Sequence, residues 1–156
     1  MMSSGIDLQT LFPQLQTDDY QITSAATRGY NCHAWAAGED DAWWSPVNRA
    51  GLPIGGYYWP RGVPHDESLP ALVQAFRTCG YAPCDTGELE VGLEKIAIYT
   101  DHARLPTHTA RQLANGQWTS KIGEYQDITH DTLAGLEGQD YGRVACFMSR
   151  ARTDAQ

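Results

Sequence analysis

An α+β fold, with N-terminal helices packed on a small antiparallel sheet, follows from three features of the chain. Leu69, Leu72, Val73 and Phe76 recur at i, i+3, i+4, i+7, the spacing of one buried helical face. Residues 95–100 and 108–122 alternate at strand period around an Asn-Gly pair, a strong hairpin signal. The helical signals come first and the strands after, which is the order of an α+β domain and not of a parallel sheet.

The elements follow in sequence. Residues 1–29 are polar and turn-prone, and Leu8, Leu11, Phe12 and Leu15 are the apolar contacts that can dock this extension on the body. Asn31 is placed to cap a short helix that opens at Cys32, and Gly38 ends it. Residues 39–64 mix aromatics with glycine and proline and read as a long irregular loop, a kind of segment that compact domains keep for a use. Ser68 caps a second helix, with Pro70 tolerated in its first turn and Gly80 as the stop. Strands are expected over 95–100, 108–113, 117–122 and 144–148, and residues 151–156 form a polar tail. The whole of 30–150 is expected to be one domain.

The chain has 156 residues and a formal net charge of −8, with eleven basic residues scattered along it and no run among them. Nucleic-acid binding is therefore not expected, because a phosphate-binding face needs clustered Lys and Arg. No export signal and no stretch of about 20 apolar residues occurs, so a cytoplasmic location without membrane contact is expected, export without a signal remaining open. The four cysteines (Cys32, Cys79, Cys84, Cys146) are too few for a disulfide scaffold. Cys79 and Cys84 have no matching second pair of ligands, so neither a metal nor another cofactor is expected. Glu88, Glu90 and Glu94 read as a solvated acidic edge.

Cys32 is the candidate nucleophile. In the first turn of a helix a sulfur meets unpaired backbone N–H groups and the positive end of the helix dipole, both of which favour the thiolate. A thiol nucleophile also needs an imidazole, normally distant in sequence. His108, at the start of a strand in a hairpin, is the expected partner. His33 is expected to point elsewhere on its helix, and His102 and His130 are reserves.

The succession of a helix-borne cysteine in Tyr30-Asn31-Cys32-His33-Ala34-Trp35-Ala36, a histidine opening a strand in Thr107-His108-Thr109-Ala110-Arg111-Gln112-Leu113, and polar residues on the next strand in Asn115-Gly116-Gln117-Trp118-Thr119-Ser120-Lys121 resembles the layout of the papain-like thiol hydrolases, most closely their NlpC/P60-type branch. The chain also resembles an uncharacterised bacterial domain family with YNC, AWA, YWP, EKIA, HTARQL and WTSK segments, which brings no activity with it. His33 departs from the hydrolase pattern, where a small residue follows the cysteine. The resemblance implies a papain-like fold, a Cys32–His108 pair and a polar residue that orients the ring. A strict two-residue turn would bring Lys121 to the face of His108, and a one-residue bulge would bring Ser120 there instead. Ser120 is the better third member, because a hydroxyl accepts a ring N–H and a charged lysine cannot; Asp127 is the alternative. Trp43, Trp44 and Trp59 are expected to wall the substrate cleft, or else to form a satellite core under the loop.

The expected function is cysteine-dependent hydrolysis or acyl transfer at an amide of a peptide or protein substrate. Its rival is a non-catalytic binding module of the same fold with an aromatic-lined surface. Fold alone does not choose between them.

Overall fold

The computed structural model describes residues 7–48 and 57–153, so residues 49–56 of the expected loop lie outside the described residues. Helix α1 (Leu8–Leu11) and a 3-10 turn over Pro13–Thr17 lead into strand β1 (Tyr20–Ile22). Helix α2 (Cys32–Ala36) and helix α3 (Leu69–Arg77) follow. Strands β2 (Ala82–Cys84), β3 (Leu93–Thr100), β4 (Pro106–Gln112), β5 (Trp118–Lys121), β6 (Asp127–His130) and β7 (Arg143–Ala151) complete one sheet. Its order is β1-β6-β5-β4-β3-β7-β2 and every pairing is antiparallel, so the chain is α+β.

Both expected helices begin where capping predicts. The Asn31 side chain accepts from Ala34 N and the Ser68 side chain from Ala71 N, each satisfying a backbone donor that the first turn leaves free. Pro70 sits in the first turn of α3, where its missing N–H costs nothing. The four expected strands appear as β3, β4, β5 and β7, while β1, β2 and β6 are additional. β1 shows that the N-terminal extension does more than dock: it pairs with β6 and becomes an edge of the sheet.

Strand alternation divides the interior in two. On one face Ile96, Ile98 and Met148 pack with Ala34, Trp44, Phe76 and Tyr81, under α2 and α3. On the other, Ala97, Tyr99, Ala110, Trp118 and Ile128 pack with Leu8, Phe12 and Leu15 from the N-terminus. Three of the four predicted docking residues are therefore core: Leu8, Phe12 and Leu15 are all buried.

The β4–β5 turn sets the register on which the site depends. Gly116 takes φ 93°, and Leu113 N–H donates to Gln117 O, closing a three-residue loop with the extra residue at the glycine. Arg111 accordingly pairs with Thr119 and Gln112 with Trp118. This is the one-residue offset that puts Ser120, and not Lys121, on the face of His108. Beyond those two pairs the strands part, and α2 packs against both of them at the split. No helix among the described residues is long and apolar enough to cross a membrane.

Candidate active site

Cys32 is the first residue of α2 and is 7 % exposed. Burial pushes its thiol up to about 11, partly offset by backbone N–H groups of Thr109 and of the first turn and by the charge of Lys121. The helix start therefore does what the sequence predicts for a thiolate, but desolvation outweighs it. In the resting structure the sulfur is a thiol.

The imidazole bonded to that thiol is His33. Its Nδ1 lies 3.7 Å from Cys32 Sγ and 3.0 Å from Thr109 Oγ1. The expectation that His33 points away is thus corrected: Cys32 and His33 both turn inward onto β4. Burial lowers the His33 ring to about 4, so it is neutral at pH 7.

His108 is completely buried, and neither of its ring nitrogens has a hydrogen-bond partner among the described residues. It stacks on Tyr141 at 4.2 Å between centroids and meets the Tyr99 ring edge-on at 5.3 Å. The expected Cys32–His108 hydrogen bond is therefore absent. The reason is strand parity: Thr109 and Arg111 face α2, so His108 and Ala110 face the opposite core. An imidazole buried without any partner is rare and costly in a folded protein.

Ser120 shares the face of His108, as the bulge predicts, but its hydroxyl bonds another ring. Ser120 Oγ lies 2.8 Å from His130 Nε2, and His130 Nδ1 lies 2.9 Å from Thr132 O. Since a carbonyl only accepts, His130 carries its proton on Nδ1, and Ser120 donates to Nε2. The expected role of Ser120 as the group behind His108 is corrected on this bond. Asp127, the alternative, binds no imidazole either: it accepts from the hydroxyls of Thr23 and Tyr30.

Lys121 lies on the α2 face. Its Nζ donates to Thr27 O at 2.7 Å and Gly123 O at 2.6 Å and stands 5.0 Å over the Tyr30 ring. From the sequence Lys121 stands only as a possible neighbour of His108. The available signal is the strand period, which puts Lys121 on the same face as Thr119.

A cleft of about 140 Å³ opens beside α2, lined by Asn31, His33, Trp43, Trp44, Trp59 and Pro106 among others. All three expected tryptophans border it, but Trp44 is 3 % exposed and belongs to the core with Phe76. Both readings of the aromatic loop hold in part: Trp43 and Trp59 offer surface, and Trp44 is structural. The cleft meets His33 and not the sulfur, so the imidazole stands at its border.

Glu94 is the other correction. It is no solvated edge: its side chain is 14 % exposed and bonds Arg150 Nε at 2.8 Å, with Arg111 and Arg152 each at 3.8 Å. Arg111 and Arg150 in turn donate to Trp35 O and Ala37 O at the end of α2. These cations cap the negative end of the helix that carries Cys32.

The site thus belongs to an α+β protein with a buried thiol at a helix start, bonded to the neutral imidazole of His33. The chain is a member of the family described as a domain of unknown function (DUF7689), whose model matches residues 21–149. No curated protein and no solved structure matches it.

Proposed function

We propose that the chain is a cysteine-dependent hydrolase or acyl-transfer enzyme acting on an amide of a peptide or protein, with Cys32 as nucleophile and His108 as its base. The observation that carries this reading is His108 itself: a buried imidazole with both nitrogens unbonded, one residue along β4 from Thr109, whose backbone faces the Cys32 sulfur. A ring kept at such a cost, one residue from the strand position that faces the thiol but turned to the opposite core, is explained by a partner that it reaches through the parting of β4 and β5 during turnover. His108 takes the thiol proton when substrate enters and returns it to the leaving amine, while first-turn N–H groups receive the developing oxyanion. The cleft is smaller than the pockets that hold drug-sized ligands, which suits a single side chain or backbone amide.

A second reading has its own support. The raised thiol and the stacking of His108 on Tyr141 are what a non-catalytic binding module of this fold would retain.

Alkylation separates the two. The intact chain is treated with iodoacetamide from pH 5.5 to 9 and each cysteine is followed by peptide mass. For the enzyme, His108→Gln slows the alkylation of Cys32 at least tenfold and leaves Cys79, Cys84 and Cys146 unchanged. A Cys32 rate indifferent to His108→Gln removes the catalytic pair.

A further inference from the structure

The chain has two lysines, and the sheet buries both. For the most strongly hydrated of common side chains this is a costly arrangement, seldom kept without a pairing that needs it. Lys95 has an evident structural partner: its Nζ donates to Glu90 at 2.6 Å and to Thr86 O at 3.0 Å. Among the described residues no carboxylate is bonded to Lys121. Two backbone carbonyls and one aromatic ring hold its ammonium in place. The acid opposite it in register, Asp127, is occupied by the hydroxyls of Tyr30 and Thr23.

The position of that ammonium follows from the register. Arg111 pairs with Thr119, so two residues further on Thr109 and Lys121 flank the split between β4 and β5 on the α2 face. Cys32 enters there, with the Thr109 backbone at its sulfur, and the ring of Tyr30, two residues before it, lies under the lysine. We infer that Lys121 supplies the counter-charge to the Cys32 thiolate, its ammonium fixed beside the sulfur by Thr27, Gly123 and Tyr30. This rests on the reading of Cys32 as nucleophile, and it makes Lys121 a positioning residue that acts by charge.

The titratable rings around the sulfur add no charge of their own at neutral pH. His33 from α2 is neutral, lowered to about 4 by burial. Tyr30 and Tyr141 are held protonated, Tyr30 at about 12 and Tyr141 well above its usual value, both chiefly by burial. His108 from β4 is lowered well below 6.5 by burial and by the charges of His130 and His33. Asp127 from β6 and Glu124 from the β5–β6 turn act on the lysine and favour its charged form. Burial nevertheless brings Lys121 down to about 8, so it carries its charge at pH 7 and loses it just above.

That sign gives a signature. Below pH 8 the thiolate fraction of Cys32 rises tenfold per pH unit beside a charged lysine. As Lys121 loses its proton the thiol becomes a weaker acid, and the rise flattens. Iodoacetamide rates of Cys32 in the full chain, read by peptide mass from pH 6 to 10, should show this inflection near pH 8. Lys121→Met should react at least tenfold more slowly at pH 7, with a straight profile that approaches the wild-type one above the inflection. Lys121→Arg, which keeps its charge throughout, should keep the pH 7 rate and lose the inflection; it carries the test if Lys121→Met does not fold. Superimposable wild-type and Lys121→Met profiles would overturn the inference, as would an inflection retained in Lys121→Arg. A Cys32 that resists alkylation at every pH counts against both this inference and the enzyme reading. An inflection that depends on Lys121 with rates indifferent to His108→Gln would keep the counter-charge and remove the base.

Discussion

Asn31 and Trp44 are joined by a reciprocal pair of hydrogen bonds: Asn31 Nδ2 donates to Trp44 O at 2.7 Å, and Trp44 N–H donates to Asn31 Oδ1 at 3.1 Å. The same Oδ1 caps α2 through Ala34 N. One buried amide therefore fixes both the helix that presents Cys32 and the loop that walls the cleft. Asn31→Ala removes the cap and leaves the Trp44 peptide without its partners, a cost of about 2–4 kcal/mol in urea unfolding. Asn31→Ser keeps a capping oxygen and should recover part of it. A loss below about 0.5 kcal/mol in Asn31→Ala would show that the loop is held by Trp44 packing alone.

Glu94 is the one carboxylate amid three arginines, each at most 22 % exposed. Its removal leaves buried guanidinium charge without an anion, so Glu94→Gln should cost about 3–5 kcal/mol, more than the loss of any exposed ion pair. Arg28–Glu124 is the internal comparison: at 69 % and 41 % exposure, its truncation should change stability by less than about 1 kcal/mol. Equal effects at the two sites would contradict the burial argument.

His108 separates stability from function. A phenyl ring can stack on Tyr141 without two unbonded nitrogens, so His108→Phe should leave the unfolding free energy unchanged or raise it by about 1–2 kcal/mol. On the proposed mechanism the same change slows the alkylation of Cys32 at least tenfold. A strongly destabilised His108→Phe protein would mean that the ring has a structural partner, and the catalytic argument from its isolation would fall.

What could be read from the chain follows from the range of the signals. Asn31, Ser68 and Gly116 act within four residues of themselves, and each defines its cap or turn as read. The bulge at Gly116 carried that local reading further, placing Ser120 on the face of His108 across two strands. The pairing failed one step later. Whether Ser120 meets His108 or His130 depends on β6, a four-residue strand, Asp127–His130, that no periodicity announced. The surroundings of His33 and Glu94 are not legible in the sequence for a related reason: they are made by Thr109 in one case and by three arginines in the other, all distant in sequence. The loop tryptophans were legible as a group, but only packing against Phe76 distinguishes Trp44 from Trp43 and Trp59.

Acid stability provides the last test, and it depends on the same histidines. His33, His108 and His130 all have ring pKa values lowered chiefly by burial, His33 to about 4 and His108 well below 6.5. In the unfolded chain they take up protons below about 6.5, while in the folded protein each takes up its proton only at lower pH. Between about pH 6.5 and 4 the unfolded state therefore binds more protons, so stability is full above this window and falls as pH falls through it. Each fully shifted histidine adds up to about 1.4 kcal/mol per pH unit to that slope. Urea midpoints at pH 4.5, 5.5, 6.5 and 7.5 should drop steeply on the acid side and stay nearly level above pH 6.5, and His108→Phe should make the acid slope shallower. The slope itself reports whether the rings stay neutral: if His108→Phe leaves it unchanged, His108 gains a proton in the folded protein, and the enclosed, uncharged imidazole on which the proposed chemistry rests is not the state in solution.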